Sequence, residues 1–295
     1  MEKALYWKKE KDALRCELCP QLCLIKNNEV GLCMVRQNIE GALYTLNYGR
    51  ISSATLDPIE KKPLYKYHPG SFIYSIGSVG CNLGCPFCQN FQISHPSDYL
   101  YAKEPKDIVE QTTRFLAVSD LVEEAVSMKE QGNIGIAYTY NEPFMSYEYV
   151  LEASKAAKER GLVNVLVTNG YINKKPLLEL LPFIDAMNID LKGFREDVYK
   201  QLEGHLAPVK KTIEITSREI HVEVTNLIVP GLNDDKGQIE EMVSWLANLN
   251  SSIALHFSRY FPARRFKESP TPVGTLKMAE AIAKKKLKSV YLGNI

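Results

Sequence analysis

Ser78-Val79-Gly80-Cys81-Asn82-Leu83-Gly84-Cys85-Pro86-Phe87-Cys88-Gln89-Asn90 carries three cysteines at C-x3-C-x2-C, directly after an apolar run, Ser71–Val79. The run reads as a β-strand and delivers the cysteines to its C-terminal end. Three thiolates in one short loop can hold three irons of a cubane iron–sulfur cluster, and protein clusters of this type normally take four cysteines. One iron is then left without a protein ligand and open to a small molecule.

Downstream of this loop the pattern alternates. Asn133–Thr139, Leu162–Thr168, Ala186–Leu191, Ile220–Val229 and Ser252–Phe257 read as further strands, rich in the Val, Ile, Leu and Tyr of buried parallel sheets. Helices are expected between them. Tyr147, Val150, Leu151, Ser154 and Ala157 form one apolar face, with Glu148, Glu152, Lys155 and Glu159 on the wet side. Ile239, Met242, Val243 and Leu246 make a second stripe, and Leu276, Ala279, Ile282 and Ala283 a third. Pro105–Gln131 reads as helical with a break near Ser119. Strand then helix, repeated about six times, predicts an α/β fold: a partial (β/α)6 TIM-like barrel over residues 69–295. Active sites of such barrels lie at the C-terminal strand ends. The cysteine loop falls there, and so do Tyr140-Asn141-Glu142, Thr168-Asn169-Gly170, Asp190-Leu191-Lys192 and Val229-Pro230-Gly231. An Asn-Glu pair at a strand tip can accept hydrogen bonds from an ammonium group. Asp190 and Lys192, two apart, share a strand face; they can pair with each other, or Lys192 can meet a ligand carboxylate.

These residues resemble the radical S-adenosylmethionine (SAM) superfamily. The resemblance implies a [4Fe-4S] cluster on Cys81, Cys85 and Cys88 whose open iron is chelated by the amino group and carboxylate of SAM. One electron then breaks a carbon–sulfur bond, giving methionine and a 5′-deoxyadenosyl radical. Thr-Asn-Gly, Asp-Leu-Lys and Val-Pro-Gly in this order are similar to pyruvate formate-lyase activating enzymes over about residues 70 to 260. The likeness implies that Phe87, just before the third cysteine, packs on adenine. Gln89, Asn141, Glu142, Thr168, Asn169, Asp190, Lys192 and Ser258 are the further SAM-contacting candidates. Two departures stand out: Tyr140-Asn141-Glu142 replaces a Gly-Gly-Glu-like motif, and Val167 replaces an Asp of a monovalent-cation site. Thr55-Leu-Asp-Pro-Ile-Glu-Lys-Lys-Pro-Leu-Tyr-Lys-Tyr-His68, together with the N-terminal cysteines, resembles the radical SAM member of the AmmeMemoRadiSam system. Many members of that subfamily carry a Cys-Pro-x-Cys tail after Tyr-Leu-Gly-Asn; this sequence ends at Ile295.

Residues 1–68 form a small Cys-rich segment with weak apolar periodicity. Cys16, Cys19, Cys23 and Cys33 suit tetrahedral zinc or a fully ligated second iron–sulfur cluster, and spacing does not separate the two. All seven cysteines precede residue 89, which favours metal or cluster binding over disulfides. His68, His95, His205, His221 and His256 show no metal-ligand spacing and read as structural. Tyr138, Tyr140 and Tyr171 read as pocket walls.

The chain has 295 residues, 45% of them hydrophobic, and a formal net charge of +1. Nothing argues for nucleic acid or an anionic membrane as partner. The N-terminus lacks an apolar signal core, so a cytoplasmic location is expected. The expected activity is reductive SAM cleavage followed by hydrogen abstraction from a protein, peptide or small molecule. It calls for a one-electron donor of the flavodoxin or ferredoxin kind, and glycyl-radical activation is the first option by resemblance. The contrasting reading is a non-catalytic iron–sulfur or zinc protein with a redox or structural role, which predicts no SAM binding.

Overall fold

The computed structural model describes residues 1–295. Its centre is an eight-stranded sheet: β1 Ser53–Pro58, β2 Phe72–Gly77, β3 Asn133–Tyr138, β4 Val163–Thr168, β5 Ala186–Asp190, β6 His221–Ile228, β7 Ala254–Arg259 and β8 Val290–Gly293. Spatial order follows chain order. β2 to β8 run parallel, and β1 pairs antiparallel with β2, Ser53 opposite Gly77. Helices cover the outside, including Tyr147–Glu159, Lys236–Asn250 and Val273–Ala283 at the predicted stripes. This is the partial barrel expected, widened at both edges. β8 was missed because its four residues follow a lysine-rich turn; β1 falls on the apolar stretch 51–56, which already reads as a short strand in the sequence.

The composition change near residue 68 is therefore not a structural break. β1 hydrogen-bonds along β2. Ala4, Leu14, Leu18, Ile25, Val35, Leu43 and Leu46 also join the same apolar core as the barrel helices. Residues 2–45 form two small antiparallel sheets, Glu2–Lys3 with Ala42–Thr45 and Arg36–Ile39, and Trp7–Glu10 with Ala13–Cys16 and Leu24–Lys26.

Two helical expectations need correction. The 105–131 stretch is two helices, Pro105–Thr112 and Val118–Ser127, split by a short strand at Arg114–Phe115 that pairs with Arg50–Ile51. Extended β-branched Thr113 ends the first helix ahead of Ser119. Glu148 does not face water: it is buried against Arg36 at 2.6 Å, because the N-terminal sheet covers that face of its helix.

Ile59 and Leu64, both fully buried, pack with inward-facing Ile73, Ala137, Val165 and Ala186 from four adjacent strands. The segment between β1 and β2 thus fills the barrel interior. Pro63 O accepts from Asn188 Nδ2 at 2.8 Å, and the Tyr65 and Lys66 amides donate to Glu223 at 3.1 and 2.7 Å.

Candidate active site

The cysteine loop is held from several sides. Asn141 accepts from the Ser78 amide at 2.9 Å and donates to Gly80 O at 3.0 Å, tying the tip of β3 to the start of the loop. Asn82 donates to Tyr171 O at 2.7 Å, accepts from Asn169 Nδ2 at 2.9 Å, and its own carbonyl accepts from Gln21 at 2.8 Å. On the far side Arg264 donates to Cys85 O at 2.8 Å, and the Arg265 and Phe266 amides both reach Pro86 O. Phe266 also meets Phe87 edge-to-face, with centroids 6.3 Å apart. This clamp from the loop after β7 was not visible in sequence, since it acts through backbone groups and one arginine.

Glu142 is held by three donors. Its Oε1 accepts from Thr168 Oγ1 at 2.7 Å and the Phe144 amide at 3.2 Å, and Oε2 accepts from the Asn169 amide at 2.8 Å. Oε1 is filled, while Oε2 keeps one lone pair. Burial pushes its pKa up to about 7 despite these donors. Asn169 also directs Nδ2 at Cys81 Sγ, 3.6 Å away. Lys192 pairs with Asp190 at 2.9 Å. Burial alone would depress Lys192, but Asp190 and the Cys85 sulfur hold it above its ordinary range.

Cys81, Cys85, Phe87, Cys88, Gln89, Asn141, Glu142, Thr168, Asn169, Asp190, Lys192 and Ser258 all line one cleft of about 570 Å³ at the C-terminal strand ends. Of the three tyrosines expected as walls, only Tyr140 is there. Tyr138 and Tyr171 are packed into the core: Tyr138 because alternate strand residues face the helices, Tyr171 from the loop after β4. Tyr140 has a left-handed backbone, φ +70°. Its hydroxyl donates to Asp57 at 2.6 Å, and buried Lys62 holds the same carboxylate at 2.8 Å.

Part of the cleft's wall was missed in the sequence. Glu60, Lys61 and Tyr65 reach it from the interior segment, and His256 from β7. His256 and His221 both bind the fully buried carboxylate of Glu223, at 2.6 and 3.0 Å. Burial opposes its ionisation, but the two imidazoles and two backbone amides bring its pKa down to about 2. The spacing His221-Val222-Glu223 was the available signal, because residues two apart on a strand share a face.

Cys16, Cys19, Cys23 and Cys33 line a second, small pocket outside this cleft, together with Arg36 and Asn82.

Residues 75–246, more than half of the chain, match the family profile of the radical SAM superfamily. The chain belongs to that superfamily. It is 40% identical to an uncharacterized protein of Methanocaldococcus jannaschii across 100% of this chain and 86% of that protein. It is 26% identical to the pyruvate formate-lyase 1-activating enzyme of Escherichia coli over 53% of this chain and 61% of that enzyme. Among solved structures, Streptococcus suis SuiB bound to S-adenosylmethionine superposes with a TM-score of 0.54 at 13% identity, covering 78% of this chain and 53% of SuiB. That likeness is one of fold. No helix is long and apolar enough to cross a membrane.

A radical SAM enzyme implies a [4Fe-4S] cluster and SAM, and the donor set fits. Cys81, Cys85 and Cys88 are free thiols that open onto one cleft. Burial, then the Glu142 carboxylate, push Cys81 well up, and burial takes Cys85 to about 11. Such thiols ionise when a cation replaces the proton.

Proposed function

We propose that this enzyme cleaves SAM reductively and abstracts hydrogen from a substrate entering the cleft. Cys81, Cys85 and Cys88 would hold the cluster, which supplies the electron that breaks the carbon–sulfur bond. Glu142, with its free lone pair on Oε2, receives the SAM ammonium. Lys192, held beside Asp190, faces the carboxylate. Phe87 offers an apolar surface for adenine. Gln89, Thr168, Asn169 and Ser258 complete the walls, Asn169 also donating to a cluster thiolate. Asn141 acts mainly on the loop backbone, since its amide is spent on Ser78 and Gly80.

The observation that carries this reading is convergence: three thiols, a half-satisfied buried carboxylate and a half-buried lysine, from three strand tips, border one cleft. Similarity to enzymes named as pyruvate formate-lyase activating enzymes puts a protein or peptide first among substrate classes. The interior segment closes the barrel from below, so a peptide would enter from the mouth as a loop or terminus. A flavodoxin- or ferredoxin-like donor would reduce the cluster, and a cytoplasmic site suits that chemistry.

The test is anaerobic reconstitution, then dithionite and SAM, with 5′-deoxyadenosine measured by chromatography. The wild type is expected to form it and Cys85→Ala is not. Equal product from both would remove Cys85 from the assignment. None from the wild type would favour the non-catalytic reading.

A further inference from the structure

The four N-terminal thiols surround an apolar pocket walled by Leu18, Ile25 and Met145, and no disulfide joins them. Arg36, also in this wall, is 1% exposed. Its Nη2 meets Glu148 at 2.6 Å and its Nη1 donates to Leu5 O at 2.9 Å, but Nε has no partner. An unpaired buried donor is costly, more so on a charged group. Neutral thiols are weak acceptors; thiolates on a metal are anionic and suit a buried guanidinium. The orphaned Nε thus points to a ligand that ionises the cysteines around it.

The thiols also report the size of that ligand. Zn–S bonds of about 2.3 Å in a tetrahedron put the sulfurs about 3.8 Å apart. These four thiols do not form a single-ion ligand group, and in this they match Cys81, Cys85 and Cys88 of the other loop. A cubane, with irons at separate corners, holds its cysteines wider.

The pocket sits on the reverse of the first cysteine loop. Asn82, next to Cys81, forms part of its wall. Gln21 donates to Asn82 O at 2.8 Å, and Cys33 O lies 2.7 Å from where a Cβ on Gly80 would stand. We propose that Cys16, Cys19, Cys23 and Cys33 bind a second [4Fe-4S] cluster, fully ligated by protein and hydrogen-bonded by Arg36 Nε, seated back to back with the open-iron loop. With no free corner, it does not bind SAM. Arg36 Nε, left without a partner by the Glu148 pairing, then has an anionic acceptor.

The experiment uses the full chain, reconstituted anaerobically with iron and sulfide in the presence of zinc. Iron, sulfide and zinc are counted per chain, and EPR spectra are taken after dithionite, with and without SAM. The wild type is expected to hold about eight irons, four per cubane, with one signal that SAM perturbs and one that it does not. Cys81→Ala/Cys85→Ala/Cys88→Ala leaves the N-terminal site untouched and is expected to keep about four irons with the SAM-insensitive signal. Cys23→Ser, at the least buried ligand, is expected to lose that signal and keep the other. Zinc without iron in the triple variant, or neither metal, overturns the proposal. A wild type with both clusters and no SAM-sensitive signal would refute the proposed function while supporting this one.

Discussion

The carbonyl oxygen of Cys33 lies 2.7 Å from the position that a Cβ on Gly80 would occupy, so here the two cysteine loops approach too closely for any side chain on Gly80. Gly80 also has φ +95°, a conformation that L side chains rarely adopt. Gly80→Ala is therefore strained twice, by backbone conformation and by a clash that no rotamer relieves. The expected cost is about 2 kcal/mol or more. A melting temperature lower by about 4 °C or more checks it, as does a reduced iron content after reconstitution. An unchanged melting curve would mean that the loops can separate freely.

Asn169 donates to Cys81 Sγ from 3.6 Å. Hydrogen bonds to cluster sulfurs are among the factors that set reduction potential; a donor favours the more negative, reduced state. Asn169→Ala is expected to shift the midpoint potential of the SAM-binding cluster to a more negative value, read by EPR-monitored redox titration. The same or a higher potential would show that Asn169 serves only Asn82 and Tyr171, its other partners.

Glu142 titrates near 7, raised chiefly by burial. Below that value it is mostly protonated and a poor partner for an ammonium. SAM affinity is expected to rise with pH between about 5.5 and 7, by at most about tenfold per unit. Equilibrium binding to the oxidised, reconstituted enzyme measures it. Glu142→Gln should flatten the dependence and weaken binding at pH 7.

Glu223 has its pKa lowered to about 2, against about 4.3 in an unfolded chain. A depressed carboxyl contributes stability above the unfolded value, and that contribution is lost as pH falls towards 2. Wild type and Glu223→Gln should therefore differ most in urea midpoint near pH 6, with the gap closing between about pH 4.5 and 2. A constant gap would assign the effect to packing.

The chemistry and the class of fold are legible in local sequence. Three cysteines at C-x3-C-x2-C after a strand, followed by regular strand–helix alternation, specify which thiols act together and where. These are local signals, set by spacing and periodicity. The same locality explains the errors. Glu148 reads as solvated from its own helix, and only the N-terminal sheet, far away in sequence, buries it against Arg36. β8 is short and takes its identity from the partner strand it extends. Only tertiary packing puts Ile59 and Leu64 inside the barrel and lets His221 and His256 share Glu223. It also brought Cys33 against Gly80. Each of these joins segments distant in the chain, and the pairing depends on burial, which no single segment encodes.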